Sequence, residues 1–297
     1  MSAQDRFARL AREPMVNAGG GESPVQSLRS ILGQREMLAL LVRRDLKARY
    51  KDSALGVVWT LVRPLTQLLI YYIVIGQFLG AERGIPQFAI YVFTGLTAYG
   101  LFSEIVSGGT SSIVSNSGLV KKVYLPREIF PLASVGSALF NFGIQLIILI
   151  LATIVLGNPP LHLDLVYFVP ATLVLVGFGT ALGLLLAATN VYLRDLQYLV
   201  EVLLMIMLWA SPIVYSWGMV RDYLGAGVAL DVYTSNPVTL AVLGFQKAFW
   251  VAGAEAGAPS PDDLMLRLWI TVAISAVLIV LFQRVFARLQ GNFAQEL

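Results

Sequence analysis

Residues 129–156 read IFPLASVGSALFNFGIQLIILILATIVL, a run without a single Asp, Glu, Lys or Arg. At ~1.5 Å of rise per residue, a helix of this length exceeds the ~30 Å of hydrocarbon in a bilayer. No water is present there to satisfy backbone amides, so the segment must bond within itself and reads as a membrane-spanning helix. Outward from it lie comparable apolar runs at 57–79, 88–106, 166–189, 197–217 and 266–287. The expectation is an all-α integral membrane protein with six transmembrane helices.

The whole composition agrees. Hydrophobic residues make up 57% of the 297-residue chain and charged residues 13%, where soluble domains carry about 25% charged residues. A surface that poor in charge faces lipid, which excludes a soluble enzyme. The chain has no cysteine, so disulfides and thiolate chemistry are excluded and the redox compartment is not indicated. The first ~35 residues are polar and contain no apolar h-region, so no cleaved signal peptide is expected.

Charge placement sets the orientation. Arg6, Arg9, Arg12, Arg29, Arg35, Arg43, Arg44, Lys47, Arg49 and Lys51 precede the first span. Lys121, Lys122 and Arg127 follow the second, Arg194 follows the fourth, and Arg284 and Arg288 end the last. The opposite loops hold only Arg83, Arg221, Lys247 and Arg267, among more numerous acids. The positive-inside bias then puts both termini in the cytoplasm and requires an even number of spans.

Three segments are not simple spans. Gln34 to Lys51 places Leu38, Leu41, Val42 and Leu46 on one helical face and Arg43, Arg44, Lys47 and Lys51 on the other, the pattern of an amphipathic helix at the cytoplasmic interface. Asp45 and Arg49 fall on its apolar side, four residues apart, and could pair with each other or with a partner protein. Val238 to Val251 is apolar but too short to cross, and reads as a re-entrant external helix that starts after the break at Asn236-Pro237. Val114 to Pro126 reads as a short cytoplasmic helix or hairpin.

Catalytic signatures are absent. The single histidine, His162, stands in a predicted external loop with no second histidine near it, so no metal site is expected. There is no G-x-S-x-G and no G-x-x-x-x-G-K-[ST] phosphate-binding loop. If ATP drives this protein, another chain hydrolyses it.

Residues 44–65, RDLKARYKDSALGVVWTLVRPL, resemble the N-terminal signature of ABC-2 type permeases that export polysaccharides such as O-antigen, teichoic acid, capsule and galactan precursors. The resemblance continues through Asn190, Arg194 and Asp195, Ser211-Pro212, Tyr215 and Asn236-Pro237, and covers about residue 40 to the end. It implies a homodimer in the bacterial cytoplasmic membrane, clamped to two copies of a separate ATP-binding subunit. The substrate implied is a glycan on an undecaprenyl-diphosphate carrier, with no cofactor in this chain, ATP and Mg²⁺ held by the partner, and no nucleic acid involved. Three regions follow: a cytoplasmic tail (1–33), the interface helix and connector (34–56), and an ABC-2 transmembrane domain (57–297) with a short cytoplasmic C-terminus.

The resemblance also implies that the interface helix and the loop after span two touch the ATPase, which makes Arg43, Arg44, Asp45, Lys47, Arg49, Lys121 and Lys122 the coupling candidates. Each candidate has a plainer reading beside it. The basic face could grip anionic lipid at ~1 kcal/mol per cation. Arg63 could snorkel to the interface or meet a lipid diphosphate. Glu104 and Glu201, acids inside spans, could be structural pairs or gate residues, and Asn190, Arg194 and Asp195 join them as gate candidates. Tyr71, Tyr72, Tyr91, Tyr99, Phe102, Trp209, Tyr215 and Trp217 could line a sugar path, since rings pack on sugar C–H faces, or form interfacial belts. Two other functions stay open: an ABC-2 exporter of drugs or simple lipids, and a membrane-embedded glycan-lipid transferase.

Overall fold

The computed structural model describes residues 33–50, 59–78, 80, 84–122 and 125–297. The expected tail and most of the connector after the interface helix lie outside these residues, as do the side chains of Arg49 and Arg63. All regular structure among the described residues is helical: α1 (Arg35–Tyr50), α2 (Trp59–Ile70) with a π-helical continuation (Tyr71–Phe78), α3 (Phe88–Ser115), α4 (Ser117–Lys122), α5 (Ile129–Val155), α6 (Phe168–Tyr192), α7 (Leu196–Trp209), α8 (Trp217–Leu224), α9 (Val228–Thr234), α10 (Pro237–Phe249), α11 (Val251–Glu255), α12 (Leu264–Leu289) and α13 (Phe293–Glu296).

Among the described residues, four helices are long and apolar enough to cross a membrane: α3, α5, α6 with the 3₁₀ turn before it, and α12. The angled pair α9 and α10, bent by 75°, makes a fifth if counted as one broken span. The other two runs expected to span form shorter apolar helices, Leu65–Phe78 and Leu196–Trp209. The second of these stops at Trp209 because Ser211-Pro212 begins an irregular stretch, and Pro212 has no N–H with which to continue a helix.

Helix starts follow the sequence. Pro237 is the first residue of α10, where its missing N–H costs nothing, and Asn236 caps that end by accepting from Val238 N at 3.0 Å. Ser216 caps α8 through Met219 N at 3.3 Å. Pro131 and Pro170 sit in the first turns of α5 and α6, where those amides are unpaired in any helix.

Helix α3 is the mast of the bundle. In its most apolar stretch 78% of the residues are buried, against 28% for α5 and 22% for α12. It packs on α6, α5, α10, α7 and the π-helical segment, and α6 packs in turn on α12. The core has two tiers. One surrounds Phe88, Tyr91, Phe93, Leu101 and Phe102 of α3, with α10, the first half of α6 and the end of α5. The other joins Leu41 of α1, Ile113, Ile129, Phe130, Ala187, Phe286 and Phe293. Helix α1 therefore seats Leu41 and Val42 on the bundle, with Val42 against Gly136 of α5 so closely that a Cβ there would stand 2.7 Å from Cγ2.

Candidate functional site

The long helices show exposed surfaces of large apolar side chains: Leu139, Phe140, Ile147 and Leu151 on α5, and Leu266, Ile270, Ile274 and Val277 on α12. Helix α3 differs. Between Gly100 and Ser111 its only residues that are not buried are Gly100, Ser103, Glu104, Ser107, Gly108 and Ser111. Spaced by three and four, they form one continuous face without an apolar side chain larger than hydrogen.

The face is held against α5. Glu104 Oε1 accepts from Asn141 Nδ2 at 2.6 Å, and Asn141 is buried. A Cβ at Gly100 would stand 3.6 Å from Gln145 Oε1, and one at Gly108 would stand 3.1 Å from Ser134 Cβ. Small residues let the two helices approach here, and the close approach brings the amides of α5 beside the carboxylate of α3. Ser111 donates its hydroxyl to Ser107 O at 3.2 Å, which satisfies the proton and leaves oxygen lone pairs outward. The face can therefore accept hydrogen bonds and carries an acid, in a bundle otherwise clad for lipid.

The other candidates take distinct places. Tyr91, Tyr99, Phe102 and Trp217 are buried core residues. Tyr91 Oη donates to Pro212 O at 2.8 Å and lies 2.7 Å from Tyr215 O, Tyr99 Oη donates to Leu204 O, and Trp217 Nε1 donates to Thr234 Oγ1 at 3.0 Å. Tyr91 and Tyr99 thus fasten α3 to α7 and the segment after it, Phe102 stacks on Phe178 of α6, and Trp217 ties α8 to α9. Tyr71, Tyr72 and Tyr215 are half-buried and Trp209 exposed, with Tyr71 and Trp209 in edge contact at 6.3 Å. Tyr215 Oη donates to Trp209 O at 2.7 Å, pairing a carbonyl left open at the end of α7.

Asn190 is buried and structural in its bonds: Nδ2 donates to Thr110 O at 3.1 Å and Oδ1 accepts from Gln197 N at 3.2 Å, joining α6 to α3 and to the start of α7. Arg194 is exposed and reaches Glu296 O at 3.3 Å, while Asp195 is exposed at the start of α7. Glu201 is exposed among Tyr198, Leu199, Val202 and Met205, so it is not gathered with Glu104 into a single acidic site. No group of three metal-ligating side chains occurs among the described residues.

At the basic end, Arg43 and Lys47 of α1 and Lys121 and Lys122 of α4 are exposed. Arg44 is exposed as well, but its guanidinium is engaged within the chain. Its Nη2 lies 2.7 Å from Asp45 Oδ1 and donates to Asn116 Oδ1 at 2.6 Å. Sequence reading singled out Glu104 from the α3 face and passed over its serines and glycines. The signal was there in their three-and-four spacing, but small residues at that spacing also serve plain helix packing.

Residues 36–250 match the sequence profile of the ABC-2 type transporters. The chain belongs to the ABC-2 membrane family. It is 30% identical over 273 residues to the O-antigen export system permease protein RfbA of Myxococcus xanthus, covering 92% of this chain and 100% of that one. It is 26% identical to the protein of the same name from Klebsiella pneumoniae, over 72% of this ABC-2 chain and 80% of the relative. The polysialic acid transport protein KpsM of Escherichia coli is 21% identical over 61% of this chain and 70% of its own length. The ABC-2 protein is thus a multi-pass membrane protein whose candidate site is a polar helix face.

Proposed function

We propose that this protein is the permease subunit of an exporter that carries a lipid-linked polysaccharide outward across the bacterial inner membrane. It works as a homodimer with two copies of a separate ATP-binding subunit. The observation that carries the reading is the α3 face of Gly100, Ser103, Glu104, Ser107, Gly108 and Ser111 within an apolar bundle. Glycine and serine alone would serve helix packing equally well. A carboxylate in their midst, held by Asn141 at 2.6 Å, is more than close packing requires, and acids inside membrane helices face a cavity or a partner rather than lipid. Sugar hydroxyls suit serine oxygens and a carboxylate, and Tyr71, Tyr72, Trp209 and Tyr215 supply rings for the apolar sugar faces. The polysaccharide exporters among the relatives support the same substrate class.

In this reading both termini are cytoplasmic and there are six spans. The two short ones are α2 with its π-helical continuation and α7, while α9 and α10 dip in from outside as a re-entrant pair. The exposed cations Arg43, Lys47, Lys121 and Lys122 meet the ATP-binding subunit or the lipid headgroups around it, and closure of the ATPase pair rocks the helices. The test is co-purification with a candidate ATP-binding subunit from the same organism, followed by ATP hydrolysis in nanodiscs. Undecaprenyl-linked glycan should stimulate hydrolysis and the lone chain should hydrolyse none. Stimulation by simple lipids or drugs but not by the glycan would replace this substrate class, and hydrolysis by the lone chain would refute the division of labour.

A further inference from the structure

Asn116 occupies the junction between α3 and α4. Its N–H bonds back to Ile113 O at 3.2 Å, and its carbonyl accepts from Leu119 N at 2.9 Å and Val120 N at 3.0 Å, so one residue ends the long helix and begins the short one. Its side-chain Nδ2 donates to Ser112 O at 2.8 Å. That bond fixes the amide with Oδ1 turned away from α3, toward the guanidinium of Arg44 at 2.6 Å. Asp45 holds that guanidinium from the other side, through Nε at 3.0 Å and Nη2 at 2.7 Å. The result is a charge-assisted bond between segments far apart in sequence, with an oriented donor and an oriented acceptor.

Its place in the fold gives it consequence. Helix α1 rests on α5 through Leu41 and Val42, an apolar contact. The Arg44–Asn116 bond is a directional contact between α1 and the foot of α3, whose next turns carry Ser111, Gly108, Ser107 and Glu104. Arg44 is exposed like Arg43 and Lys47, but its guanidinium is held by Asp45 and Asn116. We propose that Arg44 and Asn116 form the joint through which displacement of α1 is passed to α3 and its polar face. This rests on the reading that an ATP-binding partner acts on α1, and it makes Arg44 a positioning residue where sequence reading had grouped it with the docking cations.

The test is a double-mutant cycle with Asn116→Leu, a near-isostere without the acceptor, and Arg44→Met, which keeps an apolar stem without the donor. Polysaccharide reaching the cell surface is measured per ATP hydrolysed by the purified complex. Each single variant should lose roughly two- to fivefold in that ratio, as expected for a charge-assisted bond between exposed side chains that water screens, and the double variant should be no worse than either. Asn116→Asp, which still accepts from Arg44, should keep most of the wild-type ratio. Pull-down of the ATP-binding subunit and the melting temperature should stay near wild type, because a merely structural contact would move those instead. Wild-type coupling in Asn116→Leu, multiplied losses in the double variant, or Asn116→Asp as poor as Asn116→Leu would each overturn the joint. If the wild-type chain fails to bind any ATP-binding subunit, the proposed partnership falls. The cycle in surface polysaccharide then still reads the joint by itself.

Discussion

Helices α3 and α6 cross at a pair of glycines, Gly109 and Gly183, that are not equivalent. A Cβ added to Gly109 would stand 2.9 Å from Gly183 Cα and 3.4 Å from its carbonyl carbon. Both are backbone atoms and cannot rotate aside, so the helices must part. A Cβ added to Gly183 would meet Ile105 O at 3.5 Å and Gly109 Cα at 3.6 Å, ordinary van der Waals distances. The asymmetry arises because each Cα–Cβ bond leans toward its own helix N-terminus, so only one of the two hydrogens points straight at the other chain segment. Overpacking costs about 1–3 kcal/mol, and replacing a helical glycine by alanine returns up to about 1 kcal/mol. Gly109→Ala should therefore lose about 1–2 kcal/mol net, while Gly183→Ala should be neutral or slightly stabilising. At about 2–4 °C per kcal/mol for a chain of this order, the first melts some ~2–8 °C lower and the second does not. Gly109→Val, with two further methyls at the crossing, should fall further. The five tryptophans provide an intrinsic fluorescence signal for melting in nanodiscs. Equal losses for the two alanines, or a greater loss for Gly183→Ala, would refute the crossing geometry.

Two further outcomes are expected. Because the chain has no cysteine, single cysteines at Gly118 and Asn292 should label only from the cytoplasm and those at Leu161 and Tyr223 only from outside, four positions that are all exposed; external labelling at Gly118 would break the six-span topology. Glu104→Ala strips Asn141 Nδ2 of its 2.6 Å acceptor and should slow export at least tenfold while the protein still inserts, whereas Glu201→Ala on the exposed side of α7 should do less; equal export by wild type and Glu104→Ala, measured as surface polysaccharide, would remove Glu104 from the path.

Much of the architecture was legible in the sequence because lipid imposes so few solutions. An apolar run free of charge must close its own hydrogen bonds, so α3, α5, α6 and α12 fall where hydropathy puts them. Local chemistry was legible for the same reason of short range: Asn236-Pro237 marks the start of α10, and the wheel of α1 gives the face that Leu41 and Val42 bury. Helix α3 runs on to Ser115, past the expected end of its span, since hydropathy fades at Ser107–Ser112 although the backbone bonds do not. What only the tertiary structure decided depends on contacts across the sequence. Period and composition could not tell the aromatics that fasten the core, Tyr91, Tyr99, Phe102 and Trp217, from Trp209 and Tyr71, which remain accessible. Asp45 was expected to pair with Arg49, whose side chain lies outside the described residues, or with a partner protein; its carboxylate also holds the neighbouring Arg44, whose guanidinium reaches Asn116. A helical wheel fixes which way a side chain leaves its own helix, while the group it meets is set by which other helix the fold brings within hydrogen-bond reach.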